Sequence, residues 1–186
     1  MRGVSGPVVL LLASGRGERF TASGGQGSKL RAPLAGRPVL EWTRAAAQAS
    51  GLAVHVEDAG HPGMGDSIAA AARAVPDADA WLVLPGDLPL VRPDTLRAVA
   101  QAVGAGEIVV PSFGGERGHP VAFGREFGAQ LRALTGAQGA AAIVKAATQA
   151  GRVRVLPLDD RGIVTDIDTV ADLQAAERLL LSAPSA

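Results

Sequence analysis

The 186-residue sequence contains no cysteine, which excludes disulfides and thiolate metal sites. It has no long hydrophobic run either: no stretch approaches the roughly 20 apolar residues that a membrane-crossing helix needs. Neither sign of charge is in surplus. Lys and Arg number 18, Asp and Glu number 18, and the isoelectric point lies near neutrality. Phosphate backbones usually attract a net basic face, so this balance argues against nucleic acid as the main partner and leaves room only for a local basic pocket. Lysine itself is scarce, with two among the 18 basic residues, so arginine is the default cation of this chain.

What is present suffices for a sizeable core. Hydrophobic residues make up 47% of the chain, and the length favours one domain over 1–186, with 1–6 and 182–186 expected to fray. The opening "MRGVSGPVVLLLASG" has the outline of a secretory leader, one arginine followed by apolar and then small residues. Its apolar stretch, 8–13, is very short for that purpose. A buried first strand is the better reading, and a cytoplasmic location is expected.

The run 8–13 stops abruptly at a Gly-rich loop, the pattern of a central parallel strand covered on both faces. "RPVLEWTRAAAQASG" reads as a helix, with Pro38 near its start and Gly51 just past its end. "LAVHVED" reads as a strand, and "GMGDSIAAAARAV" as a turn feeding a helix capped by Asp66 or Ser67. "AWLVLPGDLPLV" is the clearest strand and loop, and "RPDTLRAVAQAVGAG" is a helix with Pro93 in its first turn. "EIVVPSFGGERGHPVAFG" predicts two short strands about a Gly-rich bend, followed by helix in two pieces broken near Gly136. "VRVLPLDD" and "GIVTDID" read as strands. "TVADLQAAERLLL" is the last helix, with Thr169 and Asp172 close to a capping box. Strands alternating with helices predict an α/β fold, a three-layer α/β/α sandwich with a mostly parallel sheet.

In such sheets ligands bind outside the C-terminal strand ends, and two stretches there carry chemistry. The first is the loop after residue 13. Gly-rich turns point backbone N–H groups at anions, and Arg16, Arg19 and Lys29 add full positive charge, which together outline a polyphosphate cradle. A Walker A loop is excluded, because Gly27-Ser28-Lys29-Leu30 lacks the Gly-Lys-Ser/Thr order. A dinucleotide fingerprint matches only as Gly15-x-Gly17-x-x-Phe20. That motif opens a helix directly, whereas this loop reads on through Gly24, Gly25 and Gly27. A flexible surface loop is the remaining alternative. The rare lysine weighs against it, since a compact ammonium suits a phosphate.

The second stretch is "LPGDLPLV". Asp87, a carboxylate at the tip of a central strand, is well placed to hold Mg²⁺ against phosphates, although a turn-forming Asp after Gly is also common. "TDIDT" sets Asp166 and Asp168 on alternate positions of an extended segment, so one of them is a candidate second metal ligand. Among the histidines, His55 reads as packing or edge, His61 as part of a turn before Pro62, and His119 as the one open to function; none shows metal-ligand spacing. Without a nucleophile elbow, no Ser-His-Asp triad is suggested.

Taken together, "LLLASGRGERF…SKLRAPLAGRPVLEW" resembles the signature L-A-A-G-x-x-x-R…K-x-x-x-x-x-x-G-x-P-(L/V)-(L/I) of nucleotidyltransferases with a GT-A-like, nucleotide-diphospho-sugar-transferase-like fold. "PGDLPLV" resembles their G-D-x-P metal loop. "GMGDSIAAA", "RGHPVAF", "LTGAQGAAAIV" and "DIDTVADL" are similar to segments of the MobA-like NTP transferases, above all the molybdenum cofactor cytidylyltransferases. The motifs run in family order over nearly the whole chain.

The resemblance implies a Mg²⁺-dependent enzyme in which a phosphate of a molybdopterin-type cofactor attacks the α-phosphorus of an NTP, CTP favoured over GTP, and pyrophosphate leaves. By motif position it implies that Leu12, Ala13, Gly15, Arg16, Gly17, Lys29, Met64, Gly65 and Ser67 bind the nucleotide. Arg16, Lys29 and Asp87 would be catalytic, Asp87 and Asp168 would hold Mg²⁺ with Asp166 the lesser candidate, and His119, Gln138 and Gly139 would meet the pterin. A molybdoenzyme or its maturation chaperone is the implied recipient, with no role for nucleic acid or membrane. Three departures stand out. Ser14 replaces the second Ala of the signature, and "TASGGQG" enlarges the loop before Lys29. Residues 45–62 hold only the end of one helix and one strand, so one βα unit near the base-binding edge is expected to be missing. Three other readings stay open: a sugar-1-phosphate or other small-phosphate nucleotidyltransferase, a non-catalytic nucleotide- or molybdopterin-binding chaperone and, more remotely, a glycosyltransferase.

Overall fold

The computed structural model describes residues 6–15 and 17–182. Strand β1 (Pro7–Leu12) leads through a five-residue helix α1 (Glu18–Ala22) and a 3-10 turn (Lys29–Arg31) to a small hairpin, β2 (Pro33–Leu34) and β3 (Arg37–Pro38). Helix α2 (Val39–Ala49), β4 (Ala53–Glu57), α3 (Met64–Ala74), β5 (Ala80–Pro85) and α4 (Pro93–Ala102) follow. The chain continues with β6 (Ile108–Phe113), β7 (Glu116–Arg117), β8 (Val121–Gly124), α5 (Gly128–Arg132), α6 (Ala141–Gln149), β9 (Val153–Pro157) and α7 (Val170–Ser182).

Seven strands form one sheet in the order β4-β1-β5-β8-β6-β7, with β9 also paired to β6. β1 is parallel to β4 and β5, and β6 is parallel to β9. β8 runs antiparallel between β5 and β6, and β7 runs antiparallel to β6. All strands but β7 and β8 therefore share one direction, as expected of a mostly parallel sheet.

Both faces of the sheet are covered, which explains the unbroken apolar character of β1. Val8, Leu10 and Leu12 share a core with Ile68 and Ala72 of α3, Leu131 of α5 and Ile143 of α6. Val9 and Leu11 point the other way, into a core with Ala47 of α2 and Leu96 and Val99 of α4. Alternate side chains leave a strand on opposite faces, so a strand with no solvent face has no polar position. A third core joins Phe20, Leu34 and Val39 to Ile167 and to Ala176 of α7, and so attaches the opening loop to the C-terminal helix. No helix among the described residues is long and apolar enough to cross a membrane.

Several local expectations are met. Thr169 and Asp172 form the capping box: the Thr169 amide and hydroxyl donate to Asp172 Oδ2, each at 2.7 Å, and the Asp172 amide donates back to Thr169 Oγ1 at 3.2 Å. Residues 45–62 hold one helix end and β4, which makes β4 the sheet edge beside β1.

Others are corrected. "GIVTDID" is not a strand: Arg161–Val164 form a 3-10 turn, because Asp160 accepts the Gly162 amide at 2.9 Å and the chain curls against Leu90. The Gly-rich bend carries three short strands rather than two. Helix α3 starts at Met64 with Gly63 as its N-cap, and neither Asp66 nor Ser67 caps it. Asp66 instead accepts the amide of Gly136 at 3.1 Å. The opening loop does not stay irregular to Lys29, since α1 forms within it. Residues 1–5 and 183–186, inside the ends expected to fray, and Arg16 lie outside the described residues.

One buried carboxylate sets the position of the acidic segment that matters below. Asp160, 3% exposed, accepts the Arg92 amide at 3.0 Å, the Thr95 hydroxyl at 2.6 Å and the Gly162 amide. It thereby ties the N-terminus of α4 to the turn that precedes Asp166 and Asp168. Replacing it strands three donors, two of them buried. Asp160→Ala is expected to lower stability by about 2–4 kcal/mol in urea unfolding, against a near-neutral effect of exposed Asp159→Ala.

Candidate functional site

The ends of β1 and β5, the opening loop and the segment before α7 converge at the C-terminal edge of the parallel strands. Leu12 closes β1, and its carbonyl accepts the Gly86 amide at 2.9 Å. A Cβ on Gly86 would stand 2.8 Å from that same oxygen, so glycine is required for "PGD" to turn out of the sheet here. The Gly86 carbonyl takes the buried Thr43 hydroxyl at 2.9 Å, and the Asp87 carbonyl takes the Ile167 amide at 3.0 Å. That last bond brings Asp166 and Asp168 alongside Asp87. One oxygen from each of the three carboxylates lies within 4.8 Å of the others.

Lys29 enters this acidic group. Its Nζ donates to Asp87 Oδ2 at 2.6 Å and to Asp168 Oδ1 at 2.8 Å. Burial alone would pull the Lys29 ammonium toward neutrality, but the attraction of Asp87 and Asp168 outweighs it and raises its pKa. Arg19 of α1 closes the arrangement from the solvent side, 2.5 Å from Asp168 Oδ2. Asp166 is the most exposed of the three carboxylates, and partial desolvation with the charges of Asp168 and Asp87 pushes its pKa up.

Cavities meet at this point. One of about 290 Å³ is lined by Leu12, Ser14, Gly15, Lys29, Met64 and Asp87, among others. A neighbouring cleft is bounded by Gly15, Gly17, Arg19, Lys29 and Asp168. A larger cavity of about 570 Å³ lies beyond Met64, against Ile68, Val83, Val121 and Phe123, and carries His119, Gln138, Arg117 and Lys145 on its wall. His119 is half-buried. Burial holds its pKa below the ordinary imidazole value of 6.5, with the charge of Asp87 opposing the shift. Met64 borders both the first and the larger cavity, and its neighbour is tightly packed: Gly65 donates its amide to the Gly136 carbonyl at 2.8 Å, and a Cβ on Gly65 would stand 2.7 Å from the Thr135 carbonyl.

The residues singled out in the sequence are therefore largely brought together. Leu12, Gly15, Lys29, Met64, Ser67 and Asp87 line one cavity, Gly17 the adjoining cleft, and His119 and Gln138 the larger cavity. Ala13, Gly65 and Gly139 do not line these spaces. Ala13 donates its amide to Glu57, Gly65 is buried against 135–136, and Gly139 packs on Met64. Arg16 lies outside the described residues. His61, Arg117 and Lys145 were not picked out. His61 looked like a turn residue. Lys145 carried the same signal as Lys29, being the second of two lysines, but a helix surface hides it.

A family model of the MobA-like NTP transferase domain matches residues 9–153. Among curated proteins, the bifunctional protein GlmU of Xanthomonas campestris pv. campestris is 31% identical over 134 residues, which is 60% of this chain and 29% of the relative. The chain thus spans about a third of the length of the curated relatives it matches. Among solved structures, Rv0371c from Mycobacterium tuberculosis is 27% identical with a TM-score of 0.73, covering 98% of this chain and 100% of that one. It has also been solved as a complex with manganese. A nucleotidyl transferase from Methanothermobacter thermautotroptrophicus shares the fold, at 21% identity and a TM-score of 0.79 over 94% of this chain and 97% of that one.

The depressed pKa of His119 has a consequence for stability. Its unfolded form takes up a proton near the ordinary value of 6.5 and its folded form only at lower pH. The stability carried by the neutral ring is complete above that value and is lost as pH falls through it toward the folded pKa. Thermal melts at pH 7.5 and 5.5 are expected to show a smaller acid loss in His119→Gln than in the unaltered chain.

Proposed function

The chain belongs to the MobA-like NTP transferase family, and on that premise we propose that it transfers a nucleoside monophosphate, CMP before GMP, from an NTP to the phosphate of a molybdopterin-type cofactor. The observation that carries the reading is the placement of Lys29, Asp87 and Asp168 where the cavity of about 290 Å³ meets the cleft beside it. Phosphoryl chemistry depends on alignment and charge neutralisation more than on covalent catalysis, and this junction supplies both.

In this reading the backbone around Gly15 and Gly17 and the side chains of Lys29 and Arg19 receive the triphosphate, with Arg16 a further candidate from its place in the motif. Lys29 has three N–H donors and spends two on carboxylates, which leaves one for a phosphate oxygen. It is held rigidly at a point where charge on the reacting phosphates changes. Asp87, Asp168 and Asp166 form an all-oxygen donor set of the kind that suits Mg²⁺ or Mn²⁺, and these residues would hold the ion. Such an ion neutralises phosphate charge and fixes phosphate geometry when bound. The manganese complex of Rv0371c supports a divalent cation in the family. Leu12, Met64 and Ser67 form the wall along which the nucleoside lies.

The larger cavity receives the acceptor. Its walls are mostly apolar, which favours a flat heterocycle over a polyol, and its neutral His119 with Gln138 offers hydrogen bonds to such a ring. Arg117 and Lys145 on its rim suit the acceptor's negative charge. The product would pass to a molybdoenzyme or its maturation chaperone. The match to GlmU proteins favours a second reading, in which the acceptor is a sugar 1-phosphate.

Pyrophosphate release from a panel of NTPs and acceptors separates the two. CTP with molybdopterin is the pair expected to turn over, while turnover only with a sugar 1-phosphate moves the assignment to the second reading. Nucleotide binding without any pyrophosphate release would instead identify a binding protein. Lys29→Ala is expected to lower kcat by about 10²–10³ with a smaller change in KM, and Asp87→Asn to abolish metal-dependent turnover. Full activity in either variant contradicts the role assigned.

A further inference from the structure

The cavity of about 290 Å³ has two unlike ends. Gly15, Lys29 and Asp87 mark the charged one; His61, Pro62, Gly63 and Met64 mark the other. A triphosphate held at the charged end sends the base toward His61. The Ser14 and Ser67 hydroxyls on the wall bond to each other at 3.2 Å, and Ser67 also donates to the Gly63 carbonyl at 3.2 Å; the polar side chain at the far end is His61.

His61 does not stand alone. It belongs to a cluster at the C-terminal end of β4, the edge strand beside β1. Glu57, 8% exposed, is the centre of that cluster. Its carboxylate faces His61 Nε2 at 3.2 Å, His55 Nε2 at 3.5 Å and the Ala59 amide at 3.2 Å. Burial would raise its pKa, but these hydrogen bonds hold it below the ordinary carboxylate value, so it stays an anion. A carboxylate only accepts, so the ring nitrogen of His61 that faces Glu57, Nε2, carries a proton. In the tautomer whose single proton sits there, Nδ1 is a bare acceptor, and it has no partner among the described residues.

We propose that His61, held in this tautomer by Glu57, accepts a hydrogen bond from the exocyclic amino group of the nucleobase and disfavours bases that lack one. Cytosine offers such a donor. Uracil presents a carbonyl oxygen at the same position, lone pair against lone pair. His61 is a specificity residue and Glu57 its positioning residue. The inference rests on the nucleotidyltransferase reading and deepens its nucleotide half.

The test is equilibrium binding to the full chain, with Mg²⁺ and no acceptor, so that it does not depend on the acceptor's identity. CTP is compared with UTP, and GTP with ITP, which lacks only the amino group. CTP is expected to bind about tenfold more tightly than UTP. His61→Phe keeps an aromatic ring but no acceptor, and should bring the CTP/UTP ratio close to one. Glu57→Gln keeps a carbonyl oxygen where the Ala59 amide and His61 Nε2 meet, so the ratio should survive it, whereas Glu57→Leu removes that acceptor and should lower the ratio toward one. A Glu57 with a purely structural role would leave the ratio unchanged in a folded Glu57→Leu chain. An unaltered chain without preference in either pair, or a preference that survives His61→Phe, overturns the inference while leaving nucleotidyl transfer standing. If none of the four triphosphates binds, the nucleotidyltransferase reading falls and takes this one with it. Should Glu57→Leu not fold, as melting curves will tell, the partly exposed His61→Phe decides alone.

Discussion

Asp87 and Asp168 come from distant parts of the chain and share the ammonium of Lys29, at 2.6 and 2.8 Å. Two carboxylates this close repel each other unless a cation stands between them. The rest of the site is arranged around that requirement. The bond from the Ile167 amide to the Asp87 carbonyl brings the acidic segment 166–168 in, and Arg19 covers the outer oxygen of Asp168. Each constraint is modest alone. Together they keep three like charges and two opposite ones within one small volume, ready for a ligand that is itself highly charged.

Such a site has to be supported by what lies behind it. β1 and β5 are buried on both faces, so their ends do not shift relative to each other. Gly86 lets the chain leave β5 against the Leu12 carbonyl, where any side chain would collide. Asp160 anchors the turn before Asp166 to the start of α4. Electrostatics and packing therefore act at different distances: the carboxylates and lysine set the chemistry, and buried apolar strands hold their spacing.

The two cavities treat polarity differently. Around the first cavity, charge is paired and concentrated. In the larger one, apolar walls dominate, His119 is kept neutral, and the cations Arg117 and Lys145 have no acidic partner among the described residues. Met64 borders both environments, and its neighbours Gly63 and Gly65 pack on the 135–136 turn without room for side chains. A charged donor and a flatter, less polar acceptor would each find the surroundings suited to it, with Met64 on the wall of both cavities.

Much of this was readable from local pattern. A doubly covered strand has to be apolar throughout, so β1 and β5 announce themselves. A sharp exit needs glycine, so "PGD" does too, and the Thr169–Asp172 capping box is complete within four residues. Membership of the family, the α/β architecture and the short edge at 45–62 came from residues close together in the chain. Other features had no local signature. "GIVTDID" alternates like a strand, yet Ile163 and Ile167 enter different cores and no neighbour pairs with it. Asp66 could have capped its own helix but bonds to Gly136 instead. His61 became notable only beside Glu57 at a cavity end, and Lys145 only across from Arg117. Backbone geometry and burial act over a few residues and are written in order along the chain; a cavity wall is assembled from segments far apart, and only the packing of the sheet decides which of them meet.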